Sequence, residues 1–243
     1  MNGVVAIVQA RMGSSRLPGK LTLDLAGKPM LVRDVERIQR AKEIDEIVIS
    51  TTTNSKDDKI ISLCREYGWN FFRGSENDVL DRYYQTAREY NAKNVVRITS
   101  DCPLIEPIII DRIIEKFLVL KPNIDYVSNV FPLRTFPRGL DTEVIGISAL
   151  ERCWIEDTNP AYREHVTPYI HHNPEKFSIS GVNNERDLSS MRWTVDTQED
   201  YDFVNRIYHH FSESRFSWTD VLDLLQKHPE LHEINKEIVQ KTI

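Results

Sequence analysis

Residues 8–21 read VQARMGSSRLPGKL, and they concentrate groups suited to holding phosphate. Arg11, Arg16 and Lys20 are interleaved with Gly13, Ser14, Ser15 and Gly19. A turn of this composition can aim fixed cations and backbone N–H donors at one polyphosphate. That suits a reaction in which charge grows on phosphate oxygens and pyrophosphate departs. The stretch is not a Walker loop, which needs GxxxxGK followed by Ser or Thr. Here Gly13 and Gly19 enclose five residues, Pro18 has no N–H to give, and Leu21 stands where the hydroxyl should be. Nor is it GxGxxG.

The run VVAIV at 4–8 reads as a strand feeding this turn. Further strand patterns appear at 46–50, 70–72 and 94–99, with helical spacing at 29–42, 56–67, 77–91 and 107–120. Alternation of this kind predicts an α/β fold, a Rossmann-like, mostly parallel sheet sandwiched by helices. The carboxyl end of the first parallel strand is where open α/β sheets bind ligands, which favours a binding loop over a solvated basic turn. The second half is more elaborated. It reads as a proline-rich loop at 131–139, strands at 143–147, 177–182 and 192–195, and helices at 164–172 and from 198 to about 211. The final stretch is helical, and no linker divides the chain, so 1–243 reads as one domain.

A chain of 243 residues can bury a full core. With 40% hydrophobic and 28% charged residues it has the composition of a soluble enzyme, and a net charge of −6 argues against nucleic-acid or membrane partners. The three cysteines are widely spaced, and the N-terminal apolar run is too short for a signal-peptide core, so a cytoplasmic setting is expected. The histidines form no HExxH and lack a cysteine pair, which argues against zinc. Cys102 has no evident partner base and reads as a buried small residue. Tyr83 and Tyr84 read as core and boundary of one helix.

The motifs IVQARMGSSRLPGK, FRGSENDVLDRYY and RITSDCPLI, in this order, resemble the cytidylyltransferases that make CMP-activated sugar acids. These are the CMP-KDO and CMP-acylneuraminate synthetases, and the likeness is nearest to the spore-coat polysaccharide biosynthesis protein F type. It implies transfer of CMP from CTP to a sugar-acid hydroxyl for surface polysaccharide or glycan assembly, with Mg²⁺ as cofactor. It implies Arg11, Arg16, Lys20 and Asp101 as catalytic residues, and Asp101 and Asp196 as metal ligands. Asp196 reads equally as a helix cap, with Glu199 three residues on. Nucleotide contacts would come from Ala10, Arg11, Gly13, Ser14, Ser15, Arg16, Lys20, Thr51, Thr52, Gly74, Asp78 and Arg97. Acceptor contacts would come from Arg138, Asp141, Glu143, Glu164, His165 and Arg192, since arginine binds a carboxylate through two parallel hydrogen bonds.

On this reading residues 1–125 hold CTP and 126–215 hold the acceptor and form much of a homodimer contact, followed by C-terminal helices at 216–243. The apolar groups of 131–136 and 166–182 suit that contact. Two other classes stay open: a glycosyltransferase of similar topology using a nucleotide-sugar, and a non-catalytic nucleotide-binding subunit.

Overall fold

Along β1 (Val4–Gln9) the side chains alternate between two cores, with Val4, Ala6 and Val8 in one cluster and Val5 and Ile7 in the other. A period of two with both sides apolar requires a sheet covered on both faces. The structure, a computed structural model, describes residues 2–211 and 215–240. Strands β1, β2 (Glu46–Thr52), β3 (Asn70–Gly74) and β4 (Asn94–Thr99) are mutually parallel where they pair. They continue through β6 (Glu143–Gly146), β5 (Tyr126–Ser128) and β7 (Ile179–Gly181), in the order β3-β2-β1-β4-β6-β5-β7. β6 runs antiparallel to both β4 and β5.

One face carries α1 (Met30–Ile38), α2 (Asp58–Tyr67), α4 (Pro107–Leu120), α8 (Gln198–His210) and α9 (Trp218–Lys227), all contributing to the first cluster. The other carries α3 (Val79–Glu89) and α5 (Ile147–Glu156), followed by the short α6 (Pro160–His165) and α7 (Pro168–His172). Mixed, mostly parallel and covered on both sides, the sheet is the Rossmann-like class expected from the alternation. Among the described residues no helix is long and apolar enough to cross a membrane.

The second half departs from the sequence reading at several points. Residues 192–195 make only an isolated bridge, Arg138 to Arg192, because their amides are engaged singly: Trp193 N donates to Arg138 O and Val195 N to Asp101 O. The helix expected over 164–172 breaks at Val166 and Thr167, since Pro168 lacks the N–H that a continuous helix would use. β5 and α5 are new. Most apolar groups assigned to a dimer contact are core instead: Phe136, Val166, Ile170, Phe177 and Val182 are buried, while Leu133 is exposed.

The connection from β5 to β6 is an excursion over residues 129–142. It leaves from Ser128 and returns to Glu143, which face each other in register. Because β6 is reversed, Glu143 also pairs with Arg97 near the carboxyl end of β4. The excursion therefore emerges at the same sheet edge as the loop after β1.

Candidate active site

Past β1 the chain still follows the sheet for one residue, Ala10 N donating to Ser50 O at 3.0 Å. It then folds over the carboxyl edge. Met12 N donates to Asp57 Oδ1 at 2.7 Å, and Thr52 Oγ1 donates to the other oxygen of that buried carboxylate. Gly19, with φ of 73°, makes the left-handed turn into a 3₁₀ segment, Lys20–Thr22.

Lys20 consequently points inward. Its ammonium donates to Asp101 Oδ2 and Asp196 Oδ1, both at 3.0 Å, and to Val195 O at 2.7 Å. All three of its donors are used. The carboxylates come from segments far apart in sequence, joined where Val195 N and Thr194 Oγ1 donate to Asp101 O at 2.8 and 3.1 Å. Burial favours neutral Lys20, but Asp101 and Asp196 outweigh it and raise its pKa. Burial likewise pushes Asp101 up. Lys20 wins, aided by hydrogen bonds from Thr99 and Cys102, and holds the Asp101 carboxyl at about 2.

Asp196 is not the helix cap. Thr197 caps α8 in a reciprocal box with Asp200, which leaves the Asp196 side chain to the cavity. Its Oδ2 receives Arg16 at 3.0 Å and Arg192 at 2.9 Å. Arg192, expected at the acceptor, is instead behind the site: its fork grips Asp200 at 2.8 and 2.9 Å. Asp200 also accepts from Asp196 N, Thr197 N and Asn235 Nδ2. Replacing Asp200 by Ala leaves the buried Arg192 guanidinium with Asp196 as its remaining carboxylate, and losing one partner of a buried pair costs about 3–5 kcal/mol. We expect Asp200→Ala to lower unfolding stability by that order in urea titrations. A loss under about 1 kcal/mol would remove this clamp from the account of the site.

Between the loop, the two carboxylates and the 129–142 excursion lies a cavity of about 570 Å³. It gathers Ala10, Arg11, Gly13, Ser14, Ser15, Arg16, Lys20, Arg97, Asp101, Arg138, Asp141, Glu164, His165 and Asp196 from the sequence expectations. Arg97 is held from below by Glu143, an ion pair that raises the arginine and lowers the glutamate despite their burial. Arg134 clamps Asp141 at 2.6 and 2.8 Å. Arg138 has no carboxylate within ion-pairing distance among the described residues, so its charge faces the cavity uncommitted.

Other expected contacts lie outside the lining. Thr51 and Thr52 are fully buried, Thr52 serving Asp57. A Cβ on Gly74 would meet Arg82 and Phe72 at 2.9 Å, so this glycine permits close packing of α3 on β3. Asp78 caps α3 and pairs with Arg163 at 2.8 Å. Glu143 supports Arg97 from beneath.

The lining also includes residues the sequence reading passed over: Gln9, Val79, Arg82, Thr99, Ser100, Gly139, Thr194 and Gln240. Arg82 had a signal, being a charge on the buried face of a helix, beside Tyr83. Gly139 had none in its neighbourhood. Its φ is 105°, and a Cβ would lie 2.6 Å from the Trp193 carbonyl carbon, a constraint imposed from across the fold.

The donor set fits a hard divalent cation. Asp101 and Asp196 each place an oxygen 3.0 Å from one ammonium, so the two carboxylates converge on a point already occupied by positive charge. Among the described residues no group of three or more His, Cys, Asp or Glu could hold a metal unaided. Mg²⁺ in nucleotide sites takes one or two carboxylates and completes its shell with phosphate oxygens and water. Two acids beside a basic loop match that demand.

A doubly covered, mostly parallel sheet with cations and paired carboxylates at its carboxyl edge defines a nucleotide-dependent transferase. More narrowly, the chain belongs to the cytidylyltransferase family, whose model matches residues 5–238, and is a nucleotidyltransferase. It is 37% identical over 241 residues to an uncharacterized protein of Methanocaldococcus jannaschii, covering 98% of this chain and 97% of that one. It is 30% identical over 238 residues to the spore coat polysaccharide biosynthesis protein SpsF of Bacillus subtilis, covering 95% and 97%. The solved structure of a cytidylyltransferase from Leptospira borgpetersenii matches with a TM-score of 0.92 and 36% identity, covering all of both chains.

Proposed function

We propose that this protein transfers CMP from CTP to the hydroxyl of a sugar acid, with release of pyrophosphate and dependence on Mg²⁺. The observation that carries the reading is the convergence of Lys20 and Arg16 on the Asp101–Asp196 pair beside a cavity of about 570 Å³. Arg11 and Arg16 receive the charge that accumulates on the β- and γ-phosphates, and Lys20, its three N–H groups committed to Asp101, Asp196 and Val195 O, adds fixed positive charge behind them. Asp101 and Asp196 would hold Mg²⁺, which would supply charge neutralisation at the triphosphate. Arg138, uncommitted to any carboxylate among the described residues, takes the carboxylate of the acceptor. Gly13, Ser14 and Ser15 offer backbone and hydroxyl donors along the loop. The protein's contribution is positioning and fixed charge rather than covalent chemistry.

Thermal stabilisation by each nucleoside triphosphate, with and without Mg²⁺, tests the reading. CTP at a hundred times its dissociation constant adds about 2.7 kcal/mol, easily seen as a melting shift. We expect the shift for CTP to require Mg²⁺ and to exceed those of ATP, GTP and UTP. Stabilisation by UDP-sugars in preference to CTP would replace the reading with a glycosyltransferase.

A further inference from the structure

We propose that His165 is the general base, accepting the proton of the acceptor hydroxyl as that oxygen attacks the α-phosphorus. The inference rests on the CMP-transfer reading above and deepens it. In the step the acceptor O–H breaks and its proton moves to an imidazole nitrogen. The oxygen's electron pair forms the new P–O bond, and the bond to the bridging oxygen breaks with its pair leaving on pyrophosphate. The imidazolium then releases the proton to water.

Geometry comes first. His165 is the last residue of α6 and lines the cavity together with Lys20 and Asp101. Its ring makes no hydrogen bond among the described residues, whereas His171 binds the Tyr126 hydroxyl and His172 the Pro168 carbonyl. A partially buried imidazole with a free lone pair, facing a reaction cavity, is equipped to take a proton.

The backbone aims it. Val166 has φ of 72° and ψ of −52°, and Thr167 N donates to His165 O at 2.9 Å. That is a γ-turn of the rare, strained hand, centred on a β-branched residue. Val166 is 1% exposed, so the core enforces the turn. Strain persists where surrounding structure over-determines it, and such sites cluster where side chains must be aimed. α6 itself is pinned by Arg163, which holds Asp78 at 2.8 Å, Trp154 O at 3.0 Å and Asp157 O at 2.8 Å.

Electrostatics agree with the role. Burial depresses the His165 pKa, Glu164 opposes, and Arg97 and Arg11 reinforce the depression. Those are the charges facing it from α6, β4 and the loop after β1. On the neighbouring α3, Asp78 is neutralised by Arg163 and Arg82 adds positive charge, while His171 of α7 is itself held down by burial. The ring is therefore neutral, with a lone pair available, at neutral pH.

The test measures pyrophosphate release from CTP and Mg²⁺ with 3-deoxy-manno-octulosonate or N-acetylneuraminate, for the unaltered chain, His165→Ala and His165→Gln. The expected result is a fall in kcat of roughly 10²–10⁴-fold, the usual range for a removed general base. CTP-induced stabilisation should be unchanged, the acidic limb of the kcat–pH profile lost, and activity of the Ala variant partly restored by added imidazole. In the free protein the His165 ring should titrate below the ordinary value of about 6.5 by NMR. Either variant keeping kcat within threefold, or losing it with the acidic limb intact and no imidazole rescue, overturns the role of His165 alone. An unaltered chain that neither binds CTP nor releases pyrophosphate overturns the CMP-transfer reading, and this inference falls with it.

Discussion

Asp101→Asn is expected to lower turnover by more than about 100-fold while leaving a folded protein. Changes to groups that merely support a metal ligand cost roughly 10–100-fold, so loss of a residue proposed as a direct ligand should exceed that. The substitution also removes the partner that Lys20 holds at 3.0 Å. Its effect on stability has a definite sign. The Asp101 carboxyl sits at about 2 in the folded protein, below its usual value near 3.9 in an unfolded chain. Such a depression contributes about 2–3 kcal/mol, fully present above pH 4 and lost as the pH falls from about 4 toward 2. Urea unfolding at pH 7 and pH 3 should show the unaltered chain losing about half of this increment on acidification, while the Asn variant, already without it, loses less. Equal acid losses would show that Asp101 is not depressed, and a turnover close to that of the unaltered chain would remove it as a ligand.

Lys20→Met should be comparably damaging for a different reason. Its ammonium neutralises two carboxylates beside the loop proposed to hold phosphate. Removing one preorganised donor to developing charge costs roughly 10²–10³ in kcat. With the ammonium gone, burial dominates at Asp101, whose pKa should rise above the ordinary value. Asp196 keeps Arg16 and Arg192, but Asp101 without its counter-charge should destabilise the free protein, and added Mg²⁺ should restore part of that stability. Arginine should not substitute: Lys20 is 8% exposed and its neighbours are matched to a compact ammonium, not a planar fork. Melting temperatures with and without Mg²⁺, together with kcat, decide the matter. Turnover within threefold of the unaltered chain would place Lys20 outside the chemistry.

What the sequence makes legible here is local. The loop from Ala10 to Leu21 is short, and β1 is apolar on both faces, so strand, turn and cations can be read from one stretch. Asp101 follows directly on β4, and the alternation of the first half already implies which edge it occupies. What it hides is relational. Gly139 is required by Trp193, and Arg82 acquires its meaning only when α3 packs against β1 and β2. EVIGI would form a strand in either direction, and its reversal is decided by which neighbours it pairs with. Arg192 reads as a cation free for a ligand until Asp200, eight residues on in the chain, is seen to grip it. Thr52 is similar, its hydroxyl being committed to Asp57.

The excursion over 129–142 starts and ends at one paired position, Ser128 opposite Glu143. Its internal ties, Asn129 Nδ2 to Leu140 O at 2.7 Å and the Arg134–Asp141 clamp, belong to the segment itself. Lengthening such a connection is thermodynamically mild, about 0.6 kcal/mol for each doubling. The excursion is also tied outward: Arg138 N donates to Met191 O, Trp193 N to Arg138 O and Leu188 N to Thr135 O, and Phe136 and Leu140 are buried in the core. Room for insertion or replacement is therefore confined to its exposed tip at Pro132 and Leu133, while the strap from Thr135 to Thr142 is locked to the fold.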